Sequence, residues 1–118
     1  MIWFSAFALI NIGLAAFDAN RIKKHLRIHH GINGLIYLAL LGGVYLVTCS
    51  WTLILGLALL RVSVFNTSLN YFRGLHLTYI SKTTTSIIDQ ATNFIPKKIG
   101  YWTYHILLIL AALVLCLI

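Results

Sequence analysis

The chain has 118 residues, of which 60% are hydrophobic and only 9% charged, and nine Lys and Arg against two acids, Asp18 and Asp89, give it a formal net charge of +7. Soluble domains carry roughly a quarter charged residues, and one this short buries only about two thirds of its surface, so the composition excludes a water-soluble fold. It points to lipid as the main solvent, and to anionic headgroups rather than nucleic acid as partners of the basic residues, which cluster beside apolar runs with no nucleic-acid-binding module around them.

Residues 1–17 form the first apolar stretch, interrupted by Ser5 and Asn11 and close to the lower limit of about 17 residues for a spanning helix. No basic residue precedes it. Positive charge follows instead, in Arg21, Lys23, Lys24 and Arg27 after Asp18, the order of a retained anchor with its amino terminus outside rather than of a cleaved signal peptide.

The next apolar run, from Gly31 to Leu60, is either one overlong helix or two helices in a hairpin. A single crossing would put Arg61, Arg73, Lys82, Lys97 and Lys98 on the opposite side from the first basic segment, against the positive-inside tendency. A turn at Thr48-Cys49-Ser50, flanked by the interfacial aromatic Trp51, keeps the basic residues on one side. It also sets Arg61 inside the third span, where a central Arg costs about 2.5 to 3.5 kcal/mol on insertion scales unless it reaches headgroups or a partner.

Beyond residue 69 the pattern turns amphipathic. Ser63, Asn66, Asn70 and Arg73 fall on one arc at 100° per residue, opposite Val64, Phe65, Leu69, Tyr71 and Phe72, with Gly74 as a stop. The polar tract 83–86 reads as a loop, and Ser86 with Asp89 three residues on reads as the start of a short surface helix over 87–95, ended by Pro96. Lys97, Lys98, Tyr101 and Trp102 then anchor a last span over 99–118.

The expected architecture is therefore an all-α integral membrane protein, a single domain with spans near 1–17, 32–49, 51–69 and 99–118, packed as a compact four-helix bundle with short cytoplasmic interfacial helices and both termini outside. It has three spans if 32–60 is one helix. Gly42, Gly43, Gly56 and Ala58 would let helices approach closely. A bacterial inner membrane is the expected setting, because neither a processed signal nor an organellar presequence is evident.

Three constellations carry chemistry. Asp18, Arg21, His25 and His29 share a face if the first helix continues, and the i, i+4 spacing of the two histidines suits a divalent metal, although Lys23, Lys24 and Arg27 would repel one and the bland reading is an interfacial basic patch. The stripe Asn66, Asn70 and Arg73, with Asp89 and the 83–86 tract, has the donors for a phosphate or lipid headgroup; the bland alternative is the wet face of an interfacial helix. Arg61 is the ionisable group at membrane depth, with Asp18 and Asp89 as the acids able to pair with it.

No resident cofactor is implied. The peptidase pattern HEXXH is absent, since Ile28 precedes His29, and no Gly-x-Ser-x-Gly elbow, Cys-x-x-Cys pair or CaaX ending occurs. Cys49 and Cys116 read as unpaired apolar thiols that an oxidising compartment could join.

Function is expected to lie in packing, as a homo-oligomer or a subunit of a membrane complex whose basic segments touch anionic lipid or a partner. The alternative is an embedded enzyme or transporter using a polar and His cluster of Asp18, His25, His29, Arg61, Asn70, Arg73 and Asp89 at the cytoplasmic mouth. A channel lined by Asn11, Asn33 or Thr52 ranks third.

Overall fold

The computed structural model describes residues 1–27, 30–79 and 99–118, with backbone alone at 30 and 99–101. It is all-helical, with α1 at Ile2–Lys23, α2 at His30–Thr48, α3 at Trp51–Phe72 and α4 at Ile99–Leu117. Three of these, Ile2–Lys23, Gly31–Thr48 within α2, and Trp51–Phe72, are long and apolar enough to cross a membrane. At 1.5 Å per residue, 22 residues extend about 33 Å, against a hydrocarbon core of about 30 Å.

The run from Gly31 to Leu60 is broken into two helices, as the charge distribution required. Thr48 returns its hydroxyl to the Val44 carbonyl, and Cys49 takes a left-handed conformation (φ 52°) with its N–H on the Tyr45 carbonyl. Ser50 then caps α3, its Oγ accepting from the Leu53 N–H at 3.3 Å. Tyr45 and Trp51 stack across the turn with centroids 4.4 Å apart. One left-handed residue and one cap thus reverse the chain and satisfy part of the backbone groups that two helix ends expose.

The contacts fix direction. Phe7 meets Tyr37 and Asp18 meets Asn33, so α1 and α2 run antiparallel. Leu57 meets Tyr37, and Ser63 meets His105 while Gly56 meets Ala112, so α3 is antiparallel to both α2 and α4. Arg21, Lys23, Lys24, Arg27 and Arg73 consequently share one end of the bundle, opposite the Thr48 to Trp51 turn.

α3 is the central element. It buries Leu53, Gly56, Leu57, Leu60, Ser63 and Asn70, and joins Phe7 of α1, Tyr37, Leu41 and Val44 of α2 and Ala112 of α4 in one core. Gly56 permits the α3–α4 approach: a Cβ there would stand 2.8 Å from both the Ala112 carbonyl oxygen and Cys116 Sγ. α2 is held by a single stripe, Tyr37, Leu41 and Val44, at i, i+4 and i+7. Leu35, Ile36, Leu38, Leu46 and Val47 on its other faces are exposed, and nothing lies within 4 Å of where a Cβ would sit on Gly42 or Gly43. Of the small residues expected to bring helices together, Gly56 does so and Gly42 and Gly43 do not.

Two helices run beyond the expected spans. α1 runs six residues past position 17, to Lys23, because Asp18 at its buried face is only 2% exposed and has a partner on α2. α3 reaches Phe72 rather than 69. Both end in the same way: Leu26 N–H bonds the Arg21 carbonyl with His25 N–H on Ile22, and Leu75 N–H bonds the Asn70 carbonyl with Gly74 N–H on Tyr71. This is the Schellman pattern, which needs a left-handed residue, and His25 (φ 54°) and Gly74 (φ 70°) occupy that place. The expected stop at Gly74 is thus seen. The short surface helix over 87–95, the 83–86 loop and Pro96 lie outside the described residues.

Candidate functional site

Two of the buried polar groups, Asn11 and Asp18, line a seam where α1, α2 and α3 meet. Along α1 the inward positions are Phe7, Asn11, Ala15, Asp18 and Ala19, a helical stripe that carries two polar residues into the core. At mid-height, Arg61 Nη1 donates to Asn11 Oδ1 at 3.1 Å, and Asn11 Nδ2 donates to the Phe7 carbonyl at 2.8 Å. The guanidinium carbon lies 4.5 Å from the centroid of Tyr37 and 4.6 Å from that of Phe65, so the charge is held between two aromatic faces. Tyr37 is itself fixed by its hydroxyl, which donates to the Leu57 carbonyl at 2.6 Å. Asn11, fully buried, therefore satisfies one donor of a partly buried cation and leaves no polar end of its own unused.

Nearer the basic end, Asn33 Nδ2 donates to both oxygens of Asp18, at 3.0 Å to Oδ1 and 2.8 Å to Oδ2. Among the described residues Asp18 forms no ion pair. Of the two acids expected to partner Arg61, Asp18 is instead bonded to Asn33, and Asp89 lies outside the described residues. The contact that holds Arg61 is the neutral amide of Asn11.

Asp18 and Asn33 open on a cavity of about 190 Å³ walled by Phe17, Ile32 and Ile36 and edged by Arg21. A larger cavity of about 320 Å³ lies between Ile12 and the α3 face of Thr67, Ser68, Tyr71 and Phe72, and contains no charged side chain. A third, about 220 Å³, separates Ser63 and Thr67 of α3 from Trp102 and His105 of α4. The larger volumes carry less chemistry than the smallest, the one that contains opposite charges.

The structure places the other expected site residues apart. His25 stands past the end of α1 in its left-handed turn, exposed, so the helical spacing that would bring it over His29 does not continue; His29 lies outside the described residues. Among the described residues no group of three metal-ligating side chains occurs.

Asn70 is not on a wet face. It is 5% exposed, and its Nδ2 donates to the carbonyls of Leu77 and Tyr79, at 2.9 and 2.8 Å, folding the chain after α3 back onto the helix. Ser63, on the same arc, is buried against α4, with a long 3.5 Å contact to the His105 carbonyl. Asn66 and Arg73 are half-buried beside them. Cys49 and Cys116 are both free thiols.

Sequence reasoning missed Tyr37 and Phe65 as the rings around Arg61, and gave Asn11 and Asn33 only to a pore. A sharper signal was present: Asn11 and Asp18 are seven residues apart, two helical turns, and so share the α1 face.

Compared with known protein families, with curated proteins and with solved structures, the chain matches none.

Proposed function

We propose that this chain is a small multi-pass integral membrane protein, four spans in a bundle, that acts without catalysis by packing in the bilayer against a second copy or another membrane subunit. Its basic end faces the cytoplasm, in a bacterial inner membrane, with both termini outside and anionic lipid around Arg21, Lys23, Lys24, Arg27 and Arg73.

The observation that supports this reading is α2. Helices in lipid associate through close packing at small residues, not through hydrophobic burial. Gly56 serves that use within the chain, against Ala112, whereas Gly42 and Gly43 have the same capacity with open space before them. A helix held by one apolar stripe and the Asn33 amide, with glycines and leucines outward, is built to receive another helix.

Single cysteines test this, in a background lacking Cys49 and Cys116. Gly42→Cys and Leu46→Cys on α2, and Leu110→Cys on the exposed face of α4, are oxidised in native membranes. Cross-linked bands from α2 alone are expected, at twice the chain mass for a second copy and at another mass for a different subunit. A chain running at its own mass from both α2 positions refutes the proposal.

A second reading, an embedded transporter, draws support from the convergence of Asn11, Tyr37 and Arg61 at mid-height above Asp18 and Asn33. It is weaker, because Arg61 lines none of the three cavities among the described residues and because His25 and Asn70 are directed to helix ends and loop backbone.

A further inference from the structure

The Asp18 cavity has a composition that neither simple packing nor general attraction to anionic lipid requires. A carboxylate is kept 2% exposed, and among the described residues one amide nitrogen is its hydrogen-bond donor. An ionised carboxylate offers about four acceptor positions, of which the described residues fill two, and Asp18 lines the cavity. Buried charges are normally paired, and the guanidinium one turn further along α1 does not do this. Arg21 instead gives one N–H to the Arg27 carbonyl at 2.7 Å, holds its guanidinium carbon 5.7 Å from the Phe17 ring centroid, and lines the same cavity. An acceptor-rich anion and a donor-rich cation thus border one cavity without closing on each other.

The ligand that answers both is a phosphate ester with a primary ammonium. The ammonium donates to Asp18, and the phosphate takes the Arg21 fork. Volume and depth narrow it further. About 190 Å³ is below the roughly 300 to 1,000 Å³ of pockets that enclose drug-sized molecules, and suits a headgroup whose remainder lies outside. Asp18 stands five residues before the end of α1, about 8 Å along the axis from the basic end of the bundle. Phe17, Ile32 and Ile36 form an apolar wall beside the charges, on the side an acyl chain would occupy.

We infer that the cleft between α1 and α2 at Asp18, Arg21 and Asn33 is a specific site for a phosphoethanolamine lipid headgroup. The inference is independent of which subunit covers α2, though it assumes the chain lies in a bilayer.

Native mass spectrometry of the full chain released from detergent tests it, with phosphatidylethanolamine, phosphatidylcholine or phosphatidylglycerol added at equal concentration. Retention of one phosphatidylethanolamine per chain is expected, about tenfold above the other two, which is the weight of one charge-assisted hydrogen bond. The trimethylammonium of phosphatidylcholine has no N–H for Asp18, and phosphatidylglycerol brings a net negative charge to it.

Asp18→Asn keeps the shape and should abolish the preference; Arg21→Gln, at a half-buried position, should weaken it about tenfold. Lys24→Gln, in the same basic segment but exposed, should leave it unchanged. Equal retention of phosphatidylglycerol, or an undiminished preference in helical, folded Asp18→Asn and Arg21→Gln proteins, overturns the inference. Free O-phosphoethanolamine binding as tightly as the lipid overturns the lipid assignment and gives the site to a soluble compound.

Discussion

Replacing Asn11 by Leu tests whether Arg61 is held by its partner or merely tolerated. The side chain is fully buried and accepts from Arg61 Nη1, while its own amide serves a Phe7 carbonyl that already belongs to a helix. The loss therefore falls on the guanidinium. A hydrogen bond to a charged group contributes about 1.5 to 3 kcal/mol, and the orphaned donor lies on a half-buried cation between the Tyr37 and Phe65 rings, so Asn11→Leu should destabilise by about 2 kcal/mol. The unfolded fraction would rise roughly 30-fold.

Arg61→Met removes the charge itself, along with its insertion cost of about 2.5 to 3.5 kcal/mol, and leaves only a neutral amide oxygen without a donor, so its net effect should be within about 1 kcal/mol of zero. In that background Asn11→Leu should cost almost nothing. Reversible unfolding in mixed micelles of increasing denaturing detergent, followed by helical circular dichroism, gives the four stabilities of the double-mutant cycle. A coupling of about 1.5 kcal/mol or more is expected. If Asn11→Leu costs the same 2 kcal/mol with Met at position 61, the hydrogen bond is not what holds the cation, and the account of the seam fails.

Three further outcomes follow from the same structure. His25→Gly relieves a left-handed backbone that costs a side-chain-bearing residue about 1 to 2 kcal/mol, so it should raise the unfolding midpoint, by less than that amount because glycine also gains freedom in the unfolded chain. Gly56→Leu puts side chain where the Ala112 carbonyl and Cys116 sulfur lie, so α3 and α4 should part at a cost of about 1 to 3 kcal/mol, read as faster maleimide labelling of Cys116. Asn70→Ala removes both bonds that fold residues 77 and 79 back, and trypsin should then cut after Arg73 faster in reconstituted protein, with α1 and α2 untouched.

The turn at 48–50 was legible because two independent signals agreed: charge had to return to one side, and Thr-Cys-Ser interrupted an apolar run too long for one helix. The end of α3 was legible in Gly74. The end of α1 was not, because the apolar pattern stops at Phe17 whereas the helix is carried on by a contact between residues fifteen positions apart, Asp18 and Asn33. The polar arc of α3 was read as facing water for a related reason. Periodicity reports that Ser63, Asn70 and Arg73 share a side, not whether the groups on that side bond to solvent or to protein. In an apolar chain a polar side chain marks the need for a partner, and at Ser63 and Asn70 the partners are the His105, Leu77 and Tyr79 carbonyls.

The order of the contacts along the chain has a consequence for biogenesis. Asn11 and Tyr37 both precede Arg61, by fifty and twenty-four residues. A chain made from its amino terminus thus has the amide acceptor and the aromatic face in place in the sequence before the arginine that they hold. The two-residue turn at Cys49 and Ser50 delivers α3 as the returning arm of a hairpin, directly beside them. The most expensive residue to insert thus arrives after Asn11 and Tyr37, with Phe65 one turn behind it. Moving α3 ahead of α1 in a permuted chain would keep each final contact and still force Arg61 to wait in hydrocarbon for partners not yet made.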